Sequence, residues 1–180
     1  MKRTGQIMGQ VVAMVAAIII FGLVLLYGYK AIKNIEHTRQ QVEIIEFSES
    51  LKSAVKRIAL DFGSVKRTDL KVPSQYQEVC FADLDILRNR GRLDELRKKS
   101  ALIANIVESN SDPKTGQNVF TIPLSETPIK VEAIEVNGTR PCPNGGKDKG
   151  SGFICIPTPS GRLSLRLEGL GDKTWVCEWK

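Results

Sequence analysis

The hydrophobic and polar positions divide the chain into an apolar N-terminal segment and a much longer mixed segment. No charged residue occurs between Arg3 and Lys30, and Val11 to Tyr29 reads VVAMVAAIIIFGLVLLYGY. At 1.5 Å rise per residue, such a helix spans about 28 Å, close to the roughly 30 Å hydrocarbon core of a bilayer. The sequence therefore predicts a transmembrane helix over residues 11–29, preceded by a short basic leader, residues 1–10, that runs into this anchor.

The next segment keeps a helical pattern but becomes amphipathic. It contains no proline and no glycine from Lys30 to Phe62, so the membrane helix can continue into the aqueous phase. Gly63-Ser64 is then expected to end the helix, because glycine is common just after the last helical residue. The sequence predicts an amphipathic stem helix over residues 30–63. Its outer half carries an apolar stripe at helical spacing: Leu51, Val55, Ile58 and Phe62.

Residues 64–180 alternate between short apolar segments and turn-rich segments, which is typical of an α+β domain. Leu163, Leu165 and Leu167 alternate with polar residues, the pattern of a half-exposed strand. The sequence therefore predicts a mainly antiparallel β head with one additional helix, over residues 93–107. The predicted strands are 65–72, 78–82, 118–122, 129–136, 153–156, 162–168 and 174–179.

Length and charge narrow the function classes. With 180 residues the chain has room for one domain plus an anchor, and its formal net charge is +6. Its densest basic cluster contains acidic residues as well, and no aromatic residue interleaves with the arginines to stack bases. We interpret this cluster as a solvated helix face and predict no specific nucleic-acid partner. The cluster comprises Arg88, Arg90, Arg92, Arg97, Lys98 and Lys99.

Four cysteines, all of them in the head, indicate two disulfides. They are separated by 61, 12 and 21 residues, and no CxxC pair is present. Structural zinc sites usually use such short-range pairs, so we predict no metal. An even cysteine count in a small exported domain favours disulfides, which places the head outside the cytoplasm. The expected location is the cytoplasmic (plasma) membrane, as a single-pass protein with its N-terminus inside.

The surroundings of the cysteines favour one pairing of the three that are possible. Cys80 and Cys155 lie inside apolar strand segments, whereas Cys142 and Cys177 lie in a loop and near the terminus, closer to solvent. Pairing like with like predicts Cys80–Cys155 and Cys142–Cys177. A bridge between Cys142 and Cys155 across the short glycine-rich loop is the rival assignment.

No segment carries a recognisable catalytic constellation. The single histidine, His37, lies on the stem, so the head has no histidine with which to build a Ser-His-Asp triad. Gly145-Gly146-Lys147 lacks the spacing and the strand-to-helix context of a phosphate-binding loop. The sequence predicts a protein that is not an enzyme, with no catalytic residue and no cofactor.

The order of features at the N-terminus resembles the class III signal of archaeal type IV pilins and archaellins. Basic residues are followed by Gly5-Gln6 and then by the long apolar helix. The resemblance covers the N-terminal third and implies that a prepilin-type peptidase cuts between Gly5 and Gln6 on the cytoplasmic side. The apolar helix would then stay in the mature protein. An uncleaved signal anchor of unrelated origin is the alternative.

Small residues recur every four positions along the anchor, at Gly9, Ala13 and Ala17, and form a stripe on one helix face. We expect this stripe to pack against other pilin-like subunits or a second copy, with the lipid bilayer around it. Asn137-Gly138-Thr139 matches an N-glycosylation acceptor, which makes Asn137 a candidate modification site. The resemblance implies a non-enzymatic subunit of a surface filament or envelope complex. The alternative is an uncleaved, membrane-tethered binding module.

Overall fold

A computed structural model of the chain describes residues 4–89, 92–109, 116–136, 142 and 150–179; the side chains of residues 4–11, 34, 36, 37 and 89 lie outside that description. The fold class is α+β, as predicted: a long N-terminal apolar helix precedes antiparallel-rich sheets and short helices. Contacts divide the chain into two compact units, Met1–Val42 and Glu43–Lys180.

The first unit is built from helix α1, which runs over Thr4–Ala59 and continues into the second unit. Large apolar side chains in it are exposed, among them Val12 at 68%, Leu26 at 70% and Tyr29 at 72% of their full accessible surface. Among the described residues one helix, α1, is long and apolar enough to cross a membrane, judged by length and composition.

The second unit, the head, contains seven strands and three short α-helices within its described residues. The helices are α2 Leu84–Asn89, α3 Leu93–Lys99 and α4 Ala101–Ser109. The strands are β1 Val65–Lys71, β2 Glu78–Ala82, β3 Val119–Ile122, β4 Ile134–Glu135, β5 Phe153–Pro157, β6 Arg162–Gly169 and β7 Thr174–Glu178. A turn of 3-10 helix, Pro159–Gly161, joins β5 to β6.

These strands form two sheets. The larger has the order β1-β6-β7-β4, and the smaller has the order β3-β2-β5. All neighbours are antiparallel except β4 and β7, which are parallel. Strand β1 is therefore an edge strand, paired on one side only, with Val65 opposite Glu168 and Lys71 opposite Arg162.

The main core lies between the last turns of α1 and the larger sheet. Leu51 and Val55 of α1 and Leu163, Leu165 and Leu167 of β6 are fully buried in one cluster. The second compact unit begins at Glu43, because the last turns of α1 supply one wall of its core.

The end of α1 differs from the prediction. The helix stops at Ala59, and Phe62, which the stripe assigns to the packing face, is 80% exposed. The chain turns earlier because Asp61 donates its N–H to the Ile58 carbonyl, and Gly63 adopts a left-handed φ of 79°. Gly63 then donates to the Gly169 carbonyl at 2.8 Å and brings the chain alongside β6.

The single helix predicted over residues 93–107 is two helices, α3 and α4, and α2 was not predicted. Ser100 breaks the helix with an extended backbone, φ −154° and ψ 108°. Its hydroxyl accepts the Ile103 N–H at 3.4 Å, so Ser100 caps the start of α4. The three helices pack on the smaller sheet through a second core that includes Leu87, Leu96, Val107 and Phe120.

The predicted strand over residues 129–136 is reduced to a bridge at Ile129 and to the two residues of β4. The side chain of buried Asn118 accounts for the interruption. Its Oδ1 accepts the Val131 N–H at 2.9 Å, and its Nδ2 donates to the Val131 carbonyl at 3.3 Å. The backbone there bonds to a side chain instead of to a neighbouring strand.

We predict that Gly169→Ala destabilises the head by about 3 kcal/mol. The added methyl group would lie where two backbone segments are in close contact, and a well-packed core accommodates such an addition only with strain. A Cβ at Gly169 would overlap the carbonyl oxygens of Ile58 and Asp61. Gly22→Ala is the matched control, since a Cβ there meets nothing within 4 Å. Chemical unfolding of the detergent-solubilised chain measures both, and an unchanged midpoint for Gly169→Ala would contradict the close approach.

Candidate functional site

The predicted processing site and part of the packing stripe lie where only the main chain is described. Gly5, Gln6 and Gly9 belong to helix α1, and their surroundings lie outside the described residues. Ala13 and Ala17 are described, and both are exposed on α1. The four-residue spacing places them on one face of that helix. Asn137 lies outside the described residues.

Both disulfides have the predicted pairing. Cys80 and Cys155 are directly opposite each other on β2 and β5, with Cα atoms 3.9 Å apart. Cys142 is bonded to Cys177, with a Cα separation of 5.6 Å. The reason given for the second pair was wrong, because Cys142 is 4% exposed and Cys177 is fully buried in β7. They share a small apolar cluster with Trp175 instead of lying near solvent.

One group of side chains has the composition of a metal site. The Glu78 carboxylate lies close to the sulfurs of Cys80 and Cys155. The two sulfurs are bonded to each other, and a disulfide has no thiolate to offer a metal. The carboxylate itself approaches Lys99, with Oε2 3.1 Å from Nζ. As folded and oxidised, this group is a cross-strand bridge next to an ion pair.

The basic cluster of the head helices is interleaved with carboxylates. Arg92 pairs with Glu95 at 3.3 Å, and Arg97 pairs with both Asp94 at 3.1 Å and Glu108 at 2.9 Å. All of these side chains are partly exposed, so each pair stabilises the fold by about 0–1 kcal/mol. The geometry agrees with a solvated helix face.

The head has a groove beside edge strand β1, which the sequence did not reveal. We call it the β1 groove; it is lined by residues of the 49–61 region, at the end of α1, and by residues 64–69. Its volume is about 980 Å³. A second cavity of about 260 Å³ shares Ser50 and Asp69 with it and reaches Lys71. Together they follow the whole length of β1.

The strand alternation assigns the side chains of β1 to two faces. Leu70 is buried in the main core, so Lys66 and Thr68, at even spacing from it, also lie on the face towards α1. The Thr68 hydroxyl oxygen is buried and has no hydrogen-bond partner among the described residues. Lys66 and Arg57 both line the groove, and neither forms an ion pair in the described part of the chain.

The opposite face of β1 carries a polar network. The Ser164 hydroxyl donates to Asp69 at 2.6 Å, and the Arg67 guanidinium donates to the same carboxylate at 3.1 and 3.2 Å. The Ser164 hydrogen bond, with the Arg67 contact, lowers the pKa of Asp69. Arg67 also lies over the Trp179 ring, 5.7 Å from its centroid. Arg67 and Asp69 are thus paired with each other, and both also line the β1 groove, together with Glu49 and Asp61.

A separate buried charge lies at the start of α2. Asp83 is 4% exposed, and its Oδ1 accepts the Ile86 N–H at 3.0 Å as a helix cap. Burial raises its pKa to about 6, more than that hydrogen bond and the charge of Lys173 lower it. Lys173 pairs with Glu135 at 2.8 Å, and this contact raises the pKa of Lys173. Asp83 is thus a structural cap that the fold holds at an electrostatic cost.

Comparison with known proteins finds no match. No protein-family model, no curated protein and no solved structure is similar to this chain. The function is therefore inferred from helix α1, the head and the β1 groove.

We predict that Asp83→Asn stabilises the head at neutral pH, by up to about 3 kcal/mol, because asparagine keeps the cap and removes the buried charge. The folded-state pKa is about 6 against a reference value of 3.8, so the wild type loses stability as pH rises between these values. The gain should therefore be largest above pH 6 and vanish near pH 4. Glu126→Gln, at an exposed position, is the control. Urea titrations of the wild type and of Asp83→Asn at a series of pH values measure the gain in stability. A difference between the two that does not change with pH would contradict the buried charge.

Proposed function

We propose that this chain is a non-enzymatic, type IV pilin-like subunit that is processed at its N-terminus and assembles through its apolar helix. The product would be a surface filament or an envelope complex. The observation that carries the proposal is helix α1, which is apolar and exposed along its first part and enters the core of an α+β head with its last turns.

The exposed apolar helix needs a non-aqueous environment. Burying one Val, Leu, Ile or Phe side chain is worth about 1.5–3 kcal/mol, and α1 exposes many of them in succession, including Ile18, Ile19 and Phe21 at 58–69%. Contiguous exposed apolar surface of this kind marks a site of membrane or protein contact. A lipid bilayer, and afterwards the helices of neighbouring subunits, would provide that environment.

The disulfides support a head outside the cytoplasm. Cys80–Cys155 and Cys142–Cys177 are both formed, and such bridges persist in oxidising compartments. With the anchor at residues 11–29, a head on the outside would leave the N-terminus on the cytoplasmic side of the membrane. A prepilin-type peptidase acting between Gly5 and Gln6 would work on that side, as the resemblance implies.

Assembly through the anchor requires close approach of helices. Lipid tails are as apolar as leucine, so helices associate in a bilayer through tight packing, which small residues permit. Ala13 and Ala17 are exposed on one face of α1 and continue the stripe that starts at Gly9. We assign this stripe to contact with other subunits.

A second candidate function is an uncleaved, membrane-tethered binding module. The β1 groove favours it, because a cavity of about 980 Å³ beside an unpaired strand edge has the size of a ligand site. The two functions differ in whether the leader is removed and in whether the anchors associate.

Processing gives the first test of the proposal. The mature protein extracted from native membranes should begin at Gln6, with residues 1–5 absent from its intact mass. Gly5→Trp should retain the leader, because the peptidase must admit the residue before the cut, whereas Lys2→Arg keeps the charge and should be processed. Retention of residues 1–5 in the wild type would refute cleavage.

Assembly gives the second test. Replacing Ala13 and Ala17 together with leucine should abolish filaments and cross-linked oligomers, because the added side chains keep the helices apart. Val15→Leu with Ile19→Leu, on the opposite helix face, is the control that should still assemble. Cross-linking in native membranes measures both. Monomers alone in the wild type would leave the tethered binding module as the function.

A further inference from the structure

Three side chains of types that ligate metals lie together on the helix-facing side of the smaller sheet. Glu78 and Cys80 are two residues apart on β2 and therefore share a face of that strand, and Cys155 of β5 is directly opposite Cys80. Asp83 donates to the Gly152 carbonyl at 2.7 Å, three cross-strand pairs away, so the cysteines form a non-hydrogen-bonded pair, in which side chains are closest. One carboxylate oxygen and the two sulfurs accordingly lie within 4.8 Å of one another.

The Glu78 carboxylate has one oxygen that accepts no hydrogen bond. This atom, Oε2, is buried and has no hydrogen-bond partner in the described part of the chain. Lys99 Nζ lies 3.1 Å from Oε2, which is a contact between charges, and donates its hydrogen bond to Oε1 at 3.4 Å. A buried acceptor without a hydrogen bond costs about 1–3 kcal/mol. Oε2 would therefore gain from a cation that lies beside the sulfurs.

We propose that Glu78, Cys80 and Cys155 bind Zn²⁺ while the two cysteines are reduced, and that the ion leaves when they are oxidised to the disulfide. The reduced form precedes the bridge in every molecule, because a disulfide is made from two thiols. Zinc binds thiolates at about 2.3 Å and carboxylate oxygens at about 2.0–2.2 Å, usually in a tetrahedron. Rotation of the two thiol side chains gives the sulfur separation of about 3.8 Å that this geometry needs. Water or an external ligand would take the fourth position.

The charges of the group suit a divalent cation. Zinc binding converts the two thiols into thiolates and releases their protons, so the ion with its three ligands carries one net negative charge. Lys99 lies beside the group with a compensating positive charge, and its hydrogen bond to Oε1 orients the Glu78 carboxylate. The sequence favours no metal because the chain lacks a CxxC pair, whereas the sheet brings together cysteines that are 75 residues apart.

The first experiment uses Co²⁺ as a spectroscopic probe for zinc, with the full chain in detergent. A water-soluble phosphine reduces the disulfides: it becomes the phosphine oxide with an oxygen from water, and the two hydrogens of that water end on the sulfurs. We expect the reduced chain to bind Co²⁺ with a sulfur-to-metal charge-transfer band and with the strong visible bands of a tetrahedral site. Zn²⁺ should remove these bands by displacement. The oxidised chain should show none of them.

Substitutions assign the bands to this group of side chains. Glu78→Gln should weaken Co²⁺ binding at least about tenfold, because the amide keeps the shape of the carboxylate and loses its charge. Cys155→Ser should abolish the charge-transfer band, whereas Cys142→Ser with Cys177→Ser, which removes the other pair of sulfurs, should retain it. Glu126→Gln makes the same change as Glu78→Gln at an exposed position and should alter affinity by less than about twofold.

Circular dichroism follows the fold in the same samples. A reduced chain that unfolds and regains its fold with Zn²⁺ supports the site, because metal binding then supplies folding free energy.

Three results would overturn the proposal. One is a reduced chain, folded or unfolded, on which Co²⁺ gives no charge-transfer band. Another is a Co²⁺ affinity that Glu78→Gln leaves unchanged, which decides the question even if the cysteine variants do not fold. The third is a band that persists in Cys155→Ser and is lost with Cys142 and Cys177. None of these readouts depends on cleavage before Gln6 or on anchor assembly.

Discussion

The packing of the last turns of α1 on the leucine face of β6 is the interaction on which the rest of the head depends. Leu51 and Val55 meet the three buried leucines of β6 in the main core. The contact is tied by a hydrogen bond across it, from the Thr174 hydroxyl of β7 to the Val55 carbonyl at 3.0 Å. Gly169 permits the backbones to approach at the far end. Helix α1 therefore has an exposed apolar first part, and its last turns form one side of the core of the head.

The strand order of the larger sheet determines which strand edge is left unpaired. Strands β6 and β7 are paired on both sides, whereas β1 is paired with β6 alone. Edge strands are usually protected against unwanted pairing by charges, and β1 carries Lys66 on the face towards α1. Such a lysine discourages the pairing of another strand with this edge.

The sequence predicted the fold class, the apolar helix and most strands because these depend on local periodicity. The alternation of Leu163, Leu165 and Leu167 is a case in which periodicity and burial coincide. It missed the break at Ser100 and the interruption by Asn118, because both arise from a side chain that competes with backbone hydrogen bonds. The β1 groove could not be predicted, since the edge position of a strand is a property of long-range topology. The disulfide pairing was right, although Cys177 is buried by contacts that sequence position does not reveal.

The pairing of β1 with β6 has a consequence for the order of synthesis. Asp69 and Ser164, which are hydrogen-bonded across this pair, are 95 residues apart in the chain. A ribosome that adds about 5–20 residues per second needs on the order of 5–20 s to make that interval. Helix formation takes about a microsecond, so α1 is a helix long before β6 exists to cover Leu51 and Val55. During translation the core-facing side of α1 is therefore an apolar surface that stays uncovered until the sixth strand emerges.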